Sequence, residues 1–428
     1  MERFDVIVVG AGPAGSTAAY TAAKAGLSVL LLERALSPGD KNVFGGRVYA
    51  HMVRRLFSGI PEDMPFERFV ANERLCFMDD ARCACLDFYN SGASPERADS
   101  FVARRSKFDR WLASRAEEAG ALLVCGTRVD APFMEDGQVK GILSSSDRIE
   151  AGCVIDAEGV TATIARKVGM RTDILPRQFK IGVKETVRLT EEHINERFSL
   201  ANGEGTASVF VGYPGGYLAA SGAFLYTNRD TVSIGVVIEP SGLVSAKREV
   251  HELVENFRLH PYISRLLRGG EVIEYSAHMI PNSVPMEREN LVGNGILVTG
   301  DAGGFFINNG YTYRGVDMAM ASGHEAARAV ISAHGRGSFT SEALGVYYDG
   351  LCREALMEVK RFEGIYSVLR NDRFFSTYPL LACDLAEGLF SVPGFGKKKL
   401  KVMLREEMKG RVGITTLAMD ILSMYRNM

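Results

Sequence analysis

The 428-residue chain lacks a long apolar run, a paired cysteine framework and a surplus of charge of either sign. No stretch approaches the ~18 apolar residues that a membrane-crossing helix needs. A net charge of −2 offers no basic excess to a polyanion, so nucleic acid is not expected as a main partner. The seven cysteines (76, 83, 85, 125, 153, 352 and 383) are odd in number and scattered. Cys83-Ala84-Cys85 has the wrong spacing for a C-x-x-C pair, and no second pair completes a zinc or iron–sulfur set. Buried, reduced thiols and no metal are therefore expected. Phe4 already belongs to a strand, so no signal peptide is expected and the cytoplasm is the expected location. There is no internal repeat and no low-complexity tract.

What is present is an ordinary globular composition, 46% hydrophobic and 24% charged. At ~150 residues per domain it makes two or three domains. The most informative stretch comes first. Phe4–Val9 (FDVIVV) reads as a buried parallel strand. Gly10-Ala11-Gly12-Pro13-Ala14-Gly15 follows and opens an Ala-rich helix to about Ala25. Gly26 stops the helix, and Ser28–Leu32 is a second strand ending in Glu33 and Arg34. A strand, G-x-G-x-x-G, helix, strand and acid make a dinucleotide fingerprint. Gly10 allows the tight turn, Gly12 lets backbone approach a pyrophosphate, and Gly15 lets helix and strand pack closely. The helix N-terminus offers N–H groups and positive dipole to phosphates. Glu33 stands where a carboxylate accepts from a ribose hydroxyl.

Further along, Ser106 is expected to cap a helix from Lys107 to about Ala119, with Asp109 completing the cap and Arg104 and Arg105 just ahead. Short strands are expected at 121–125, 128–134, 139–144 and 148–151, then a buried one at 153–156 ending in Asp156-Ala157-Glu158-Gly159. From 179 to 280 the pattern alternates, with strands at 179–189, 206–213, 217–226, 231–238 and 272–280 and a helix at 243–258. Leu291–Thr299 is a late buried strand ending in Gly300-Asp301, followed by a small-residue-rich helix from about Gly315 to His334. A carboxylate at a parallel-sheet C-terminus lies on the ligand edge of such a fold. Asp301 is placed to accept from a second sugar-like chain, the ribityl of a flavin.

This order of elements resembles the FAD enzymes that include hydroxybenzoate-type hydroxylases, geranylgeranyl reductases and electron transfer flavoprotein–quinone oxidoreductases. It is most similar to the FixC branch of the last family. The resemblance rests on residues 40–51 (DKNVFGGRVYAH), 105–109 (RSKFD), 224–228 (FLYTN), 274–278 (EYSAH), 300–304 (GDAGG) and 314–317 (RGVD). Asn308-Asn309-Gly310 stands where the hydroxylases and prenyl reductases commonly carry a proline.

The resemblance implies an α/β fold: a Rossmann-type FAD-binding domain with a β-meander crossover (1–75, 101–175 and 285–335), an inserted, mostly antiparallel substrate or quinone domain (76–100 and 176–284) and a helical C-terminal region (336–428). It also implies that Arg105 reaches the FAD pyrophosphate, that Val129 offers backbone to the adenine, and that Gly45, Gly46 and Arg47 lie along the isoalloxazine. Asp156 and Gly159 would border the cofactor. Gly315 and Val316, opening the last helix, would aim N–H groups at flavin N1 and the C2 carbonyl, where reduction places negative charge.

Only one dinucleotide fingerprint is present, and no Cys₄ set. The implied role is thus that of a quinone-reducing flavoprotein served by electron-transfer-flavoprotein alpha and beta subunits and a small ferredoxin-like iron–sulfur protein, within an electron bifurcation complex. His278, Tyr311 and Tyr313 are the candidate proton relays; no catalytic residue is assigned. An NAD(P)H-dependent prenyl reductase or hydroxylase, and a non-catalytic FAD-containing assembly subunit, are the alternatives. Residues 391–428 carry five Lys and three Arg against two Glu and one Asp, about +5. The Lys397-Lys398-Lys399-Leu400-Lys401 run is suited to an anionic membrane or an acidic partner, which would put the protein peripherally on the inner face of the cell membrane.

Overall fold

A computed structural model describes residues 3–40, 46–145, 147–282 and 286–427. Two large sheets dominate these residues, and Ile307–Asn308 pairs with Tyr313–Arg314 in a small third one. The parallel strands of the first run in the order Leu122–Val124, Val29–Leu32, Arg3–Val9, Asp147–Asp156, Ile296–Val298. Val6 to Val9 and Val29 to Leu32 are buried, as helices on the sheet faces require. The chain leaves the first strand in one direction and returns on its other side, so a crevice opens at the carboxyl ends of these strands.

The meander crossover is built as expected, with one difference. The stretches 148–151 and 153–156 form a single strand, Asp147–Asp156. Its first half pairs antiparallel with Gln138–Ser144, and it pairs parallel with Arg3–Val9 from Glu150 onward. Ala151 to Asp156 are all buried, and Gly152 avoids a break because its bare Cα accommodates the Phe339 ring, 2.6 Å from where a Cβ would lie.

The second sheet has nine strands among the described residues. Phe179–Arg188, Glu204–Gly212, Gly222–Thr227, Thr231–Ile238 and Glu271–Pro281 form its body. Residues 217–221 turn instead of pairing, with Tyr217 and Ala220 at positive φ. The expected helix at 243–258 is two helices, Pro240–Ala246 and Val250–Leu259, because Lys247 sits in the left-handed region and Glu249 and Glu252 cap a new start. Arg47–Tyr49, Arg68–Met78, Cys83–Tyr89 and Ser100–Val102 join the same sheet. The strand Arg68–Met78 runs straight across the expected boundary at residue 75, pairing in parallel with Glu204–Gly212. The helix expected from Lys107 begins at Arg105, with extended Arg104 as its N-cap. Ser106 lies inside the first turn, and Asp109 is held by Arg105 Nε at 2.8 Å instead of closing a cap.

Arg68 fastens this sheet to its surroundings. Its fully buried guanidinium donates to Asn228 O, Glu204 O and Asn195 Oδ1, each at 2.7 Å. Arg68→Met should leave these carbonyls without a donor and lower stability by about 3–5 kcal/mol. Urea unfolding followed by tryptophan and flavin fluorescence should show a lowered midpoint for Arg68→Met, only partly restored in Arg68→Lys, which cannot span the same fork of acceptors.

Candidate functional site

The crevice predicted at the switch point is a cavity of about 570 Å³. That is the size of a site for a large cofactor. Its wall begins at the fingerprint. Gly10, with φ +103°, makes the turn; a Cβ there would meet Ala157 O at 2.4 Å. A Cβ on Gly15 would lie 1.8 Å from Gly10 O, so this glycine is required by helix–strand packing. Gly12 is different. It is the extended N-cap of the helix Pro13–Lys24, and a Cβ there would meet no protein atom within 4 Å. Its bare Cα faces the cavity, which Gly12, Pro13 and Ala14 all line. The space is thus kept open for something outside the chain, beside unbonded helix N–H groups.

Glu33 lines the cavity beside Arg34. Its carboxylate accepts from Ala11 N at 3.0 Å and Ala35 N at 2.8 Å, so it also ties the second strand to the glycine turn. Val129, Glu158, Gly159, Arg47 and Arg105 lie in the same wall. Arg105 is forked onto buried Asp109, at 2.8 and 2.9 Å.

Across the cavity stand Asp301, Gly315 and Val316. Asp301 belongs to the helical turn Gly300–Gly303, and Gly315 is the N-cap of the long helix Val316–Gly335. Burial pushes the Asp301 carboxyl up to about 6, against the pull of Arg105. Among the described residues no hydrogen bond reaches this carboxylate, which leaves it to accept from a ligand hydroxyl. The bare Gly12 cradle, two helix N-termini and an unsatisfied carboxylate fit FAD. Glu33 and Asp301 would take its sugar and ribityl hydroxyls, and Gly12 to Ala14 its pyrophosphate.

Some expected site residues lie elsewhere. Asp156 is fully buried behind the wall, its carboxylate accepting from Glu158 N at 3.1 Å and Ala165 N at 2.9 Å. Burial and the neighbouring Glu158 charge push it up to about 7. It braces the turn that presents Glu158 and Gly159. Gly46 lies under the Tyr226 ring, 3.3 Å from where its Cβ would be, and Gly300 lies under Ala14. Ala11 is buried and acts through its N–H on Glu33. Gly45, with Lys41 to Phe44, lies outside the described residues.

Of the candidate proton relays, His278 and Tyr313 line the cavity with Ile280 and Phe306, and Tyr311 is exposed. Burial and the Arg105 and Arg34 charges hold His278 down at about 4, so it is neutral at pH 7. Lys180 was not anticipated. Its buried ammonium donates to Ala220 O at 2.8 Å and lies 5.9 Å from the Tyr313 ring centroid, with burial lowering it to about 8. A lysine inside an otherwise apolar strand (FKIGV) was its only signal. The cysteines also depart from expectation: Cys76, Cys83 and Cys85 converge, and Cys85 and Cys352 are exposed.

Residues 5–196 match the family described as FAD dependent oxidoreductase, 179–280 that described as ETF-QO, ubiquinone-binding, and 367–428 the ETF-QO/FixC family C-terminal domain. Protein FixC of Salmonella typhi is 39% identical, covering 97% of both chains. A probable electron transfer flavoprotein-quinone oxidoreductase of Escherichia coli K12, YdiS, is 38% identical over 98% of this chain and 97% of its own. Among solved structures, a geranylgeranyl bacteriochlorophyll reductase-like protein of Thermoplasma acidophilum superposes with a TM-score of 0.74 at 19% identity, covering 99% of this chain and 100% of its own, which shows the shared fold.

Gly12→Val should abolish FAD retention while leaving thermal unfolding of the flavin-free protein within about 0.5 kcal/mol of wild type. Gly15→Val should unfold at markedly lower temperature. Loss of flavin together with loss of fold in Gly12→Val would contradict the distinction between the two glycines. The chain belongs to the FixC branch of the electron transfer flavoprotein–quinone oxidoreductase family and is an FAD-dependent oxidoreductase.

Proposed function

We propose that this chain passes electrons from electron-transfer-flavoprotein alpha and beta subunits and a small ferredoxin-like iron–sulfur protein to a membrane quinone, as the quinone-reducing member of a bifurcating assembly. FAD supplies the two-electron redox chemistry. The observation that carries the reading is the cavity wall itself. It runs from the Gly12 turn to His278, Ile280 and Tyr313, so one hollow joins the dinucleotide fingerprint to the sheet that matches a ubiquinone-binding family. Within that wall there is a single glycine-rich phosphate turn among the described residues, which supports an electron donor other than a nicotinamide held in its own site.

The residues of the chain then divide the work. Gly12 to Ala14, Glu33 and Asp301 bind and orient the cofactor. The N-cap at Gly315 directs backbone N–H groups toward developing negative charge. Phe306, Ile280 and Val316 exclude water. Tyr313, His278 and Lys180 are the groups near enough to hold or hand on protons at the quinone end; neutral His278 accepts at an imidazole nitrogen, and Lys180 donates from Nζ.

The C-terminal region supports contact with a membrane surface. No described helix is long and apolar enough to cross a membrane. Phe390, Val392 and Phe395 are largely exposed, directly ahead of Lys397 to Lys401. Apolar side chains flanked by lysines suit the headgroup boundary of an anionic bilayer. The same basic stretch, 397–411, is a candidate dock for an acidic ferredoxin-like protein.

Two outcomes are expected. Mixed anaerobically with NADH or NADPH alone, the protein should bleach its flavin very slowly, because hydride transfer needs atoms held about 3–3.5 Å apart. The electron-transfer-flavoprotein and ferredoxin-like partners should make bleaching fast and quinone-coupled; rapid full bleaching by NAD(P)H alone would instead establish a reductase. In liposome co-sedimentation, binding to anionic vesicles should fall as salt rises, since screening acts over about 10 Å at 0.1 M. Replacing Lys397, Lys398, Lys399 and Lys401 by Gln should remove most of it. Binding indifferent to both would place the membrane contact elsewhere.

A further inference from the structure

The hairpin of Arg68–Met78 and Cys83–Tyr89 stands outside the cofactor cavity and carries chemistry of its own. Antiparallel pairing sets Arg74 opposite Asp87, Cys76 opposite Cys85, and Met78 opposite Cys83. Side chains two apart on a strand share a face, so Cys83 and Cys85 project on the side where Cys76 lies. The three Sγ atoms all fall within 4.8 Å of one another. Cys85 Sγ is 2.8 Å from Cys76 Sγ and 3.4 Å from Cys83 Sγ, with Tyr262 Oη 3.7 Å away. Three thiols collected on one face are more than a cross-strand disulfide uses. Thiolates bound to one zinc at about 2.3 Å stand roughly 3.8 Å apart in tetrahedral geometry, and the 2.8 and 3.4 Å separations here lie just inside that spacing.

We propose that Cys76, Cys83 and Cys85 form a three-thiolate site for one thiophilic d¹⁰ cation of the zinc class, clamping the hairpin. The donors are soft, which selects such a cation over magnesium or calcium. Cys76 is fully buried and Cys85 is exposed, so the cation is anchored from inside and its remaining coordination position faces solvent. Arg74, paired with Asp87 at 2.7 Å, lies along the same face and moderates the negative charge of three thiolates. The strand Cys83–Tyr89 has Leu86, Phe88 and Tyr89 largely exposed and, among the described residues, pairs only with its hairpin partner, so a cross-strand clamp has something to stabilise. Cys383, on the helix Thr377–Phe390 packed against the hairpin, does not belong to the set: its thiol points at Phe77 O, 3.4 Å away.

The test uses the full FAD-containing chain, reduced with a phosphine, stripped with a chelator and titrated anaerobically with cadmium(II). A sulfur-to-cadmium charge-transfer band should rise and saturate at one equivalent, and the same band should appear when cadmium displaces zinc bound beforehand, since soft thiolates prefer the softer cation. Cys76→Ser and Cys85→Ser should weaken binding at least a hundredfold while retaining flavin absorbance, which reports the fold independently. Cys383→Ser and Cys352→Ser should bind as wild type does. The proposal is overturned by the absence of a saturating band in wild type, by a band that survives Cys76→Ser and Cys85→Ser, or by peptide mapping of the protein purified anaerobically and not reduced that finds Cys76 and Cys85 joined as a disulfide.

Discussion

The site depends on a contact made without side chains. The helices Pro13–Lys24 and Val316–Gly335 cross where a Cβ on Gly323 would lie 2.1 Å from Ala14 O. A Cβ on Gly300 would lie 2.8 Å from that of Ala14, and one on Gly15 would strike Gly10 O. Backbone meets backbone at Gly323 and Gly15, and Gly300 meets the Ala14 methyl, approaches that only glycine permits. Close approach makes the N-termini of both helices, and the Asp301 turn beside them, open on the same cavity although some 300 residues of chain separate them. A larger residue at Gly323 would separate the two halves of the cofactor site before it touched the cofactor.

Electrostatics follow from that geometry. The cavity is walled by low-dielectric packing and by Arg34, Arg47 and Arg105. Burial disfavours charge on Asp301, His278 and Lys180 alike, raising the acid and lowering the two bases. An incoming pyrophosphate meets fixed guanidinium groups and helix N–H dipoles. The far end of the same hollow is lined by the neutral His278 imidazole, the Tyr313 phenol and apolar side chains such as Ile280 and Phe306. Such a division suits a cofactor bound through its charged tail and worked at its uncharged ring.

Much of this was legible in the sequence because it is written in contiguous signals. The fingerprint Gly10 to Gly15, Glu33 at the end of the second strand, the Gly300-Asp301 turn and the helix opening at Gly315 each carry a local reason for their residue types, and all but buried Ala11 and the packing glycines, Gly15 and Gly300, reach the cavity wall. What was not legible depends on pairing between distant strands. The cysteines looked scattered because nothing local says that Cys76 lies opposite Cys85. Asp156 looked like a ligand because a carboxylate at a strand end usually faces the crevice, but the backbone N–H groups of Glu158 and Ala165 claim it first. Lys180 was hidden by the general expectation that a lysine in an alternating strand faces water. Arg47–Tyr49 and residues 68–75 pair in the second sheet although they precede the boundary expected at residue 75, because a strand's partner is chosen by tertiary packing.

The central claim is that a single cavity holds FAD through its diphosphate and both of its sugar-like chains. Spectroscopic titration of the flavin-free chain with FAD, FMN and riboflavin tests it most directly. FAD should bind at one equivalent per chain and at least a hundredfold tighter than the other two, since neither carries the diphosphate for the Gly12 turn or the ribose for Glu33. Equal affinity for FMN and FAD, or no saturable binding of FAD, would contradict the account.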